Sequence, residues 1–167
     1  MGTVDLVELL ARCAAMQIEA LAALSPAVTC DAVARYWHVQ ERWPYWTNRL
    51  GAIALEGTDG GEWGEQLEQL DATVIMRLVV GHVTSGYRGE RETELARWAS
   101  QAIDWFNARP RLTSASYPAR MTHLLSARVT ACRGLIVFGD TGIGAQQIGT
   151  ELELAARFVY ALETVTS

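Results

Sequence analysis

From Leu70 to Val83 apolar and polar residues alternate, with Leu70, Ala72, Val74, Met76, Leu78 and Val80 on one face and Asp71, Thr73, Ile75, Arg77 and Val79 on the other. A period of two sustained over that length predicts a long strand with one fully apolar face. After the two-glycine turn Ser85-Gly86-Tyr87-Arg88-Gly89 the period changes to 3.6. Leu95, Trp98, Ala102, Trp105 and Phe106 then share one side of a helix expected over residues 90–107. Glu90, Glu92 and Glu94 place negative charge in its first turns, and Pro110 ends it.

The flanking segments follow the same two periods. Residues 4–24 read as an amphipathic helix, because Leu6, Leu9, Leu10, Cys13, Leu21 and, less regularly, Ile18 recur at helical spacing before Ser25-Pro26 closes it. Residues 32–41 alternate imperfectly, which suits a strand near a sheet edge. Arg49 to Leu55 is a short apolar strand, followed by the acidic, glycine-rich loop Glu56 to Glu65. Lying between two successive strands, that loop predicts a β-hairpin that projects from the body, with Trp63 folded back or offered to a partner. Pro110 to Pro118 is a connector, and residues 119–125 read as a short turn or strand. Residues 127–138 predict a strand in which Gly134 marks a bulge. Residues 150–162 alternate strictly, with Leu152, Leu154, Ala156, Phe158 and Tyr160 facing one way and Glu151, Glu153, Ala155 and Arg157 the other. This order of elements implies one α+β domain over residues 1–167. Its core is a single mixed or antiparallel sheet of four to five strands, with two main helices packed on it.

Composition narrows the function. A chain of 167 residues, half of them hydrophobic, can bury a proper core. No run of about 18 apolar residues predicts a membrane span, and no leader pattern opens the chain. The formal net charge is −5 and the arginines are scattered, which argues against a general nucleic-acid binder. All 14 basic residues are arginine, a bias of composition more than of chemistry. Cys13, Cys30 and Cys132 are far apart, without CxxC or a histidine at metal spacing, so buried reduced thiols are expected.

Candidate chemistry is sparse. Gly139-Asp140-Thr141-Gly142-Ile143-Gly144 follows a strand, but it lacks the Lys-Ser/Thr of a phosphate-binding loop and leads into a strand instead of a helix. His38, His82 and His123 stand in no metal or triad pattern, and His82 reads as a structural histidine. Asp71 and Asp140 have no second acid or nucleophile at recognisable spacing. No catalytic residue, cofactor site or metal site is assigned. The Trp43-Pro44-Tyr45-Trp46 cluster has three readings, namely a core plug, a ligand wall and an interface anchor.

The order of elements resembles the tail terminator (tail completion) proteins of long-tailed bacteriophages. The likeness rests on the leading helix and on Thr73-Val74-Ile75-Met76-Arg77-Leu78-Val79-Val80 through Gly86-Tyr87-Arg88-Gly89-Glu90. It continues in Asn107-Ala108-Arg109-Pro110-Arg111-Leu112 and in Gly134-Leu135-Ile136-Val137-Phe138 with the loop and strand that follow. The resemblance spans most of the chain; the aromatic cluster and the acidic loop lie outside it. It implies a structural virion protein, not an enzyme, that caps the tail tube as a homohexameric ring, ends tail polymerisation and forms the head–tail joining surface. The implied location is the tail or neck of the virion, after assembly in the host cytoplasm. Its partners would be itself, the tail tube protein and a head-completion or connector protein, with DNA passing through the ring without specific binding.

A ring of identical subunits needs two different complementary patches on each. Candidates are the apolar surplus of the first helix, the aromatics Trp43, Tyr45, Trp46 and Trp63, the turn residue Arg88, and the charged strand faces. There Arg77 or Arg157 would meet Glu151 or Glu153 of a neighbour. Glu56, Asp59, Glu62 and Glu65 would face the lumen or the tube, where acidity keeps passing DNA from sticking. The alternatives are another phage connector such as a head-closure or minor tail protein, and a small-molecule-binding domain that uses the tryptophan cluster as a pocket wall.

Overall fold

The computed structural model describes residues 4–24, 33–35, 45–59, 66–82, 88–138 and 147–161. Helix α1 spans Leu6–Ala22, and strands β1 (Val33–Arg35), β2 (Tyr45–Asp59) and β3 (Gln66–His82) follow it. Helix α2 (Arg88–Asn107) leads to β4 (Leu124–Phe138) and β5 (Gln147–Ala161). The strands form one 5-stranded sheet in the order β1-β2-β3-β5-β4. β1 runs parallel to β2 and every other pairing is antiparallel, so the sheet is mixed, one of the two forms its sequence pattern allowed.

Asp5 starts α1, its carboxylate accepting from the Val7 and Glu8 amides at 3.0 Å. The stripe that α1 buries is Leu9, Arg12, Cys13, Met16, Gln17, Ala20 and Leu21. α2 buries Leu95, Trp98, Ala102 and Phe106. Both helices join one core cluster with Leu70, Ala72, Val74, Met76 and Leu78 of β3 and Leu152, Leu154, Ala156 and Phe158 of β5. The two long alternations therefore supply the floor on which both helices rest.

Because β5 lies between β3 and β4, the chain leaves β3, crosses the sheet through α2 and returns two positions away. β2 and β3 pair down to Asp59 opposite Gln66, so the hairpin expected from the sequence is present with longer limbs. Its ladder shifts between Leu50 and Ile53, where Gly51 lies so close to Ile75 that an added Cβ would sit 3.1 Å from Cδ1. The β4 ladder also shifts between Arg133 and Ile136, around the bulge expected at Gly134.

The connector between α2 and β4 is held by main-chain and side-chain bonds. Leu112 and His123 take φ of 54° and 65°, a left-handed conformation uncommon outside glycine. Arg12, 5% exposed, donates to the Leu112 and Ala119 carbonyls at 3.2 and 2.6 Å and pairs with Glu8 at 3.0 Å. Tyr117 lies 4.9 Å beneath its guanidinium. The connector also covers the first half of the β4 edge, since the Ala127 amide donates to the Pro110 carbonyl and the Val129 amide to Asn107 Oδ1, both at 2.8 Å.

Candidate functional site

Tyr45 and Trp46, expected as partner anchors, belong to the core. Both lie in β2, Trp46 opposite Leu78 and fully buried, Tyr45 opposite Val79 and 5% exposed. The alternation of β2 turns Trp46 toward α1 with Asn48, and Asn48 donates to the Leu10 carbonyl at 3.1 Å and to Gln17 Oε1 at 3.0 Å. Of the three readings of the cluster, these two residues follow the core plug. Trp43 and Trp63 lie outside the described residues, as do Glu62, Glu65 and the loop 139–146. The helix α1 also leaves less apolar surplus than its composition implied, Val7 being its one large apolar residue exposed among the described residues.

The face of the sheet away from the helices carries the charged cross-strand pairs. Register places Arg77 opposite Glu151 and Asp71 opposite Arg157. Arg77 Nη2 reaches Glu151 Oε2 at 3.1 Å, and Arg133 Nε lies 3.8 Å from the same carboxylate. Arg157 Nε meets Asp71 Oδ1 at 2.9 Å. Arg77 and Arg157 thus meet acids of their own chain, where the sequence suggested acids of a neighbour; the pairing partners lie 74 and 86 residues away. Glu153 lies half-buried between Ile75 and Ala131. Burial lowers the pKa of Arg77, against the opposing pull of Glu151. The hydrogen bond from Arg157 holds the Asp71 carboxyl below its ordinary value, which makes Asp71 a structural carboxylate.

Two concavities flank β4. One, of about 340 Å³, runs under α2 between Leu95, Ala99, Ile103 and the β4 residues Cys132 and Gly134, with Thr150 at its floor. Cys132 is exposed, contrary to the expectation of buried thiols, because the strand edge leaves it uncovered; Cys13 is buried with its thiol pushed up to about 12. Cys30 lies outside the described residues. The other concavity, of about 470 Å³, is polar and gathers Arg111, Arg120, Thr122 and His123 from the connector with Leu125 and Val159. Arg111 comes from the stretch read as a connector and Arg120 from the one read as a short turn or strand, and their spacing gave no periodic signal.

The distal hairpin limbs carry exposed Ile53, Leu55 and Glu56, and Asp59 ends β2. Arg88 opens α2. Among the described residues no group of three or more histidine, cysteine, aspartate or glutamate side chains could hold a metal ion, and no helix is long and apolar enough to cross a membrane. What the described surface offers is ion pairs, exposed aliphatics and two clefts, a set suited to binding another macromolecule or a small ligand. No protein-family model matches the chain, and no curated protein matches it.

Proposed function

We propose that this chain is a structural subunit of a long-tailed phage, which caps the tail tube as a ring and presents the surface joined by the head. The observation that carries the reading is the order of elements: a leading helix, a hairpin with a long acidic end, a second helix, and a second hairpin whose last strand returns to the sheet centre. That is the order in which the sequence resembles the tail terminators. The two lateral edges of the sheet differ in residues and charge, as head-to-tail contacts in a closed ring demand. A head-closure or minor tail protein of the same virion remains the nearest alternative of the same structural class.

The test is the absolute mass of the purified chain by light scattering over a wide concentration range, followed by imaging of the large species. A hexamer with a central hole is the expected result, and adding the chain to polymerising tube protein should stop tube growth. A chain that stays monomeric, leaves tube length unchanged and is stabilised against melting by a small metabolite would replace this reading with the ligand-binding one. In that case the cleft under α2 is where a ligand would sit, since Trp46 is packed solid in the core.

A further inference from the structure

The polar pocket beside β4 gathers two arginines and no acid. Arg111, Arg120, Thr122 and His123 line it with Leu125 and Val159, around a volume of about 470 Å³. Arg111 and Arg120 are exposed and make no ion pair among the described residues. Their own stretch of chain offers no acid, since five arginines stand between Asp104 and Asp140 without one. Other arginines have acids to meet: Arg12 has Glu8, Arg77 and Arg133 share Glu151, and Arg157 has Asp71. Two guanidinium groups held in one concavity repel each other until an anion lies between them.

The fold fixes this pocket firmly. Buried Arg12 donates to the carbonyls of Leu112 and Ala119, the immediate neighbours of Arg111 and Arg120. Leu112 and Met121, which also flank the two arginines, are themselves buried in the core. The two backbone stretches that carry the pocket's cations are therefore tied to each other and to the body. Leu112 and His123 both take left-handed backbone, where glycine or asparagine would be less strained. Such strain is kept where the surroundings enforce it, and it clusters at binding sites. At His123 the turn sets an imidazole in the pocket wall, 5.8 Å from the Tyr160 ring. The His123 carbonyl also accepts from the Val159 amide at 3.1 Å, which brings that apolar side chain into the same wall.

We propose that this pocket binds the phosphate group of a small organic phosphate monoester. The site stands whether or not the chain forms a ring. Two guanidinium forks, the Thr122 hydroxyl and the His123 ring supply more N–H and O–H donors than the paired oxygens of a carboxylate can accept. They suit the terminal oxygens of a phosphate instead. Leu125 and Val159 line the same hollow and take the apolar group beyond the ester oxygen. A nucleic-acid backbone fits less well, because it presents phosphates in a row and calls for a stripe of cations, whereas these converge on one concavity. The net charge of −5 also repels a polyanion far more than a single phosphate.

Titration calorimetry of the full-length chain with phenyl phosphate tests the site, with inorganic phosphate, benzoate and a short DNA duplex as companion probes. The expected result is single-site binding of phenyl phosphate that weakens as salt rises, exceeds the binding of inorganic phosphate and of benzoate, and falls roughly tenfold or more in R111Q/R120Q. His123→Asn keeps a residue that tolerates the left-handed turn and should lose part of the affinity. Both variants change partly or fully exposed side chains, and thermal melting without phosphate confirms that each folds. No binding of phenyl phosphate, or binding untouched by R111Q/R120Q, overturns the site. Inorganic phosphate bound as tightly as phenyl phosphate overturns the apolar half of the assignment, and benzoate bound as tightly overturns the phosphate. A DNA duplex bound in preference to phenyl phosphate, and released by R111Q/R120Q, overturns the small ligand and assigns the pocket to nucleic acid.

Discussion

Arg12 sits 5% exposed inside a stripe shared with Leu9, Cys13, Met16, Gln17, Ala20 and Leu21. Its guanidinium satisfies the carbonyls of Leu112 and Ala119, neither of which has a helix or strand partner of its own to supply a donor. Arg12→Met keeps the apolar stem and strands those acceptors, and the expected cost is about 3 kcal/mol in urea unfolding. Arg12→Lys should recover little, since one ammonium cannot span two carbonyls and stack on Tyr117. The stripe spacing marked this position: residues 9, 12, 13, 16, 17 and 20 recur at helical intervals, so a charge at 12 and an amide at 17 had to be buried among apolar neighbours. A reading that follows only apolar letters passes over them. At the same scale the cysteines separate. Iodoacetamide at mildly alkaline pH should label Cys132 in the native chain, while Cys13, its thiol held near 12 by burial, stays unmodified until the protein unfolds. Peptide mapping by mass spectrometry reads both sites, and rapid native labelling of Cys13 would contradict the packing of α1.

Among the elements, β3, β5 and both helices were legible because each carries its own periodic pattern over a dozen residues or more. β2 was legible only in its middle. It begins earlier than its apolar run because Tyr45 and Trp46 are strand residues, and it ends later because Glu56 to Asp59 are carried by main-chain bonding to Gln66 through Gln69. Polar and glycine-rich letters read as loop when the partner that orders them is out of view. The charged residues of β3 and β5 were recognisable as pairing groups, yet which chain they pair within depends on register between segments 74 and 86 residues apart. The Arg77–Glu151 pair is the deeper of the two, its side chains 18% and 8% exposed. Glu151→Leu should cost about 3 kcal/mol by leaving the half-buried Arg77 beside Arg49, whereas Arg77→Leu with Glu151→Leu should fall within about 1 kcal/mol of the wild-type chain. A double-mutant cycle in urea measures the difference, and a combined variant as unstable as the single one would show that the pair contributes net stability.

The molecule as a whole is one-sided. Both helices pack on one face of the sheet, the paired charges occupy the other, and four of the five large aliphatics exposed among the described residues lie on the hairpin limbs or beside the polar pocket, the fifth being Val7 of α1. Composition alone gave a mildly acidic chain with scattered arginines; only the strand register shows that Arg77 and Arg157 are set against Glu151 and Asp71 on one face of the sheet. A sum over 167 residues erases that arrangement, and no local window contains it.

The same topology determines how such a subunit can grow into something larger. The outer strand β4 is the natural place for a second sheet to add, yet Pro110 and Asn107 already occupy the amides of Ala127 and Val129. A stray strand that approached there would find those donors taken, and a ribbon of sheets stacked edge on edge has no foothold over that half of the strand. The connector therefore acts as a stopper against runaway fibre growth. It leaves side-chain surfaces as the means by which copies recognise one another, and side chains fix both the angle and the number of partners.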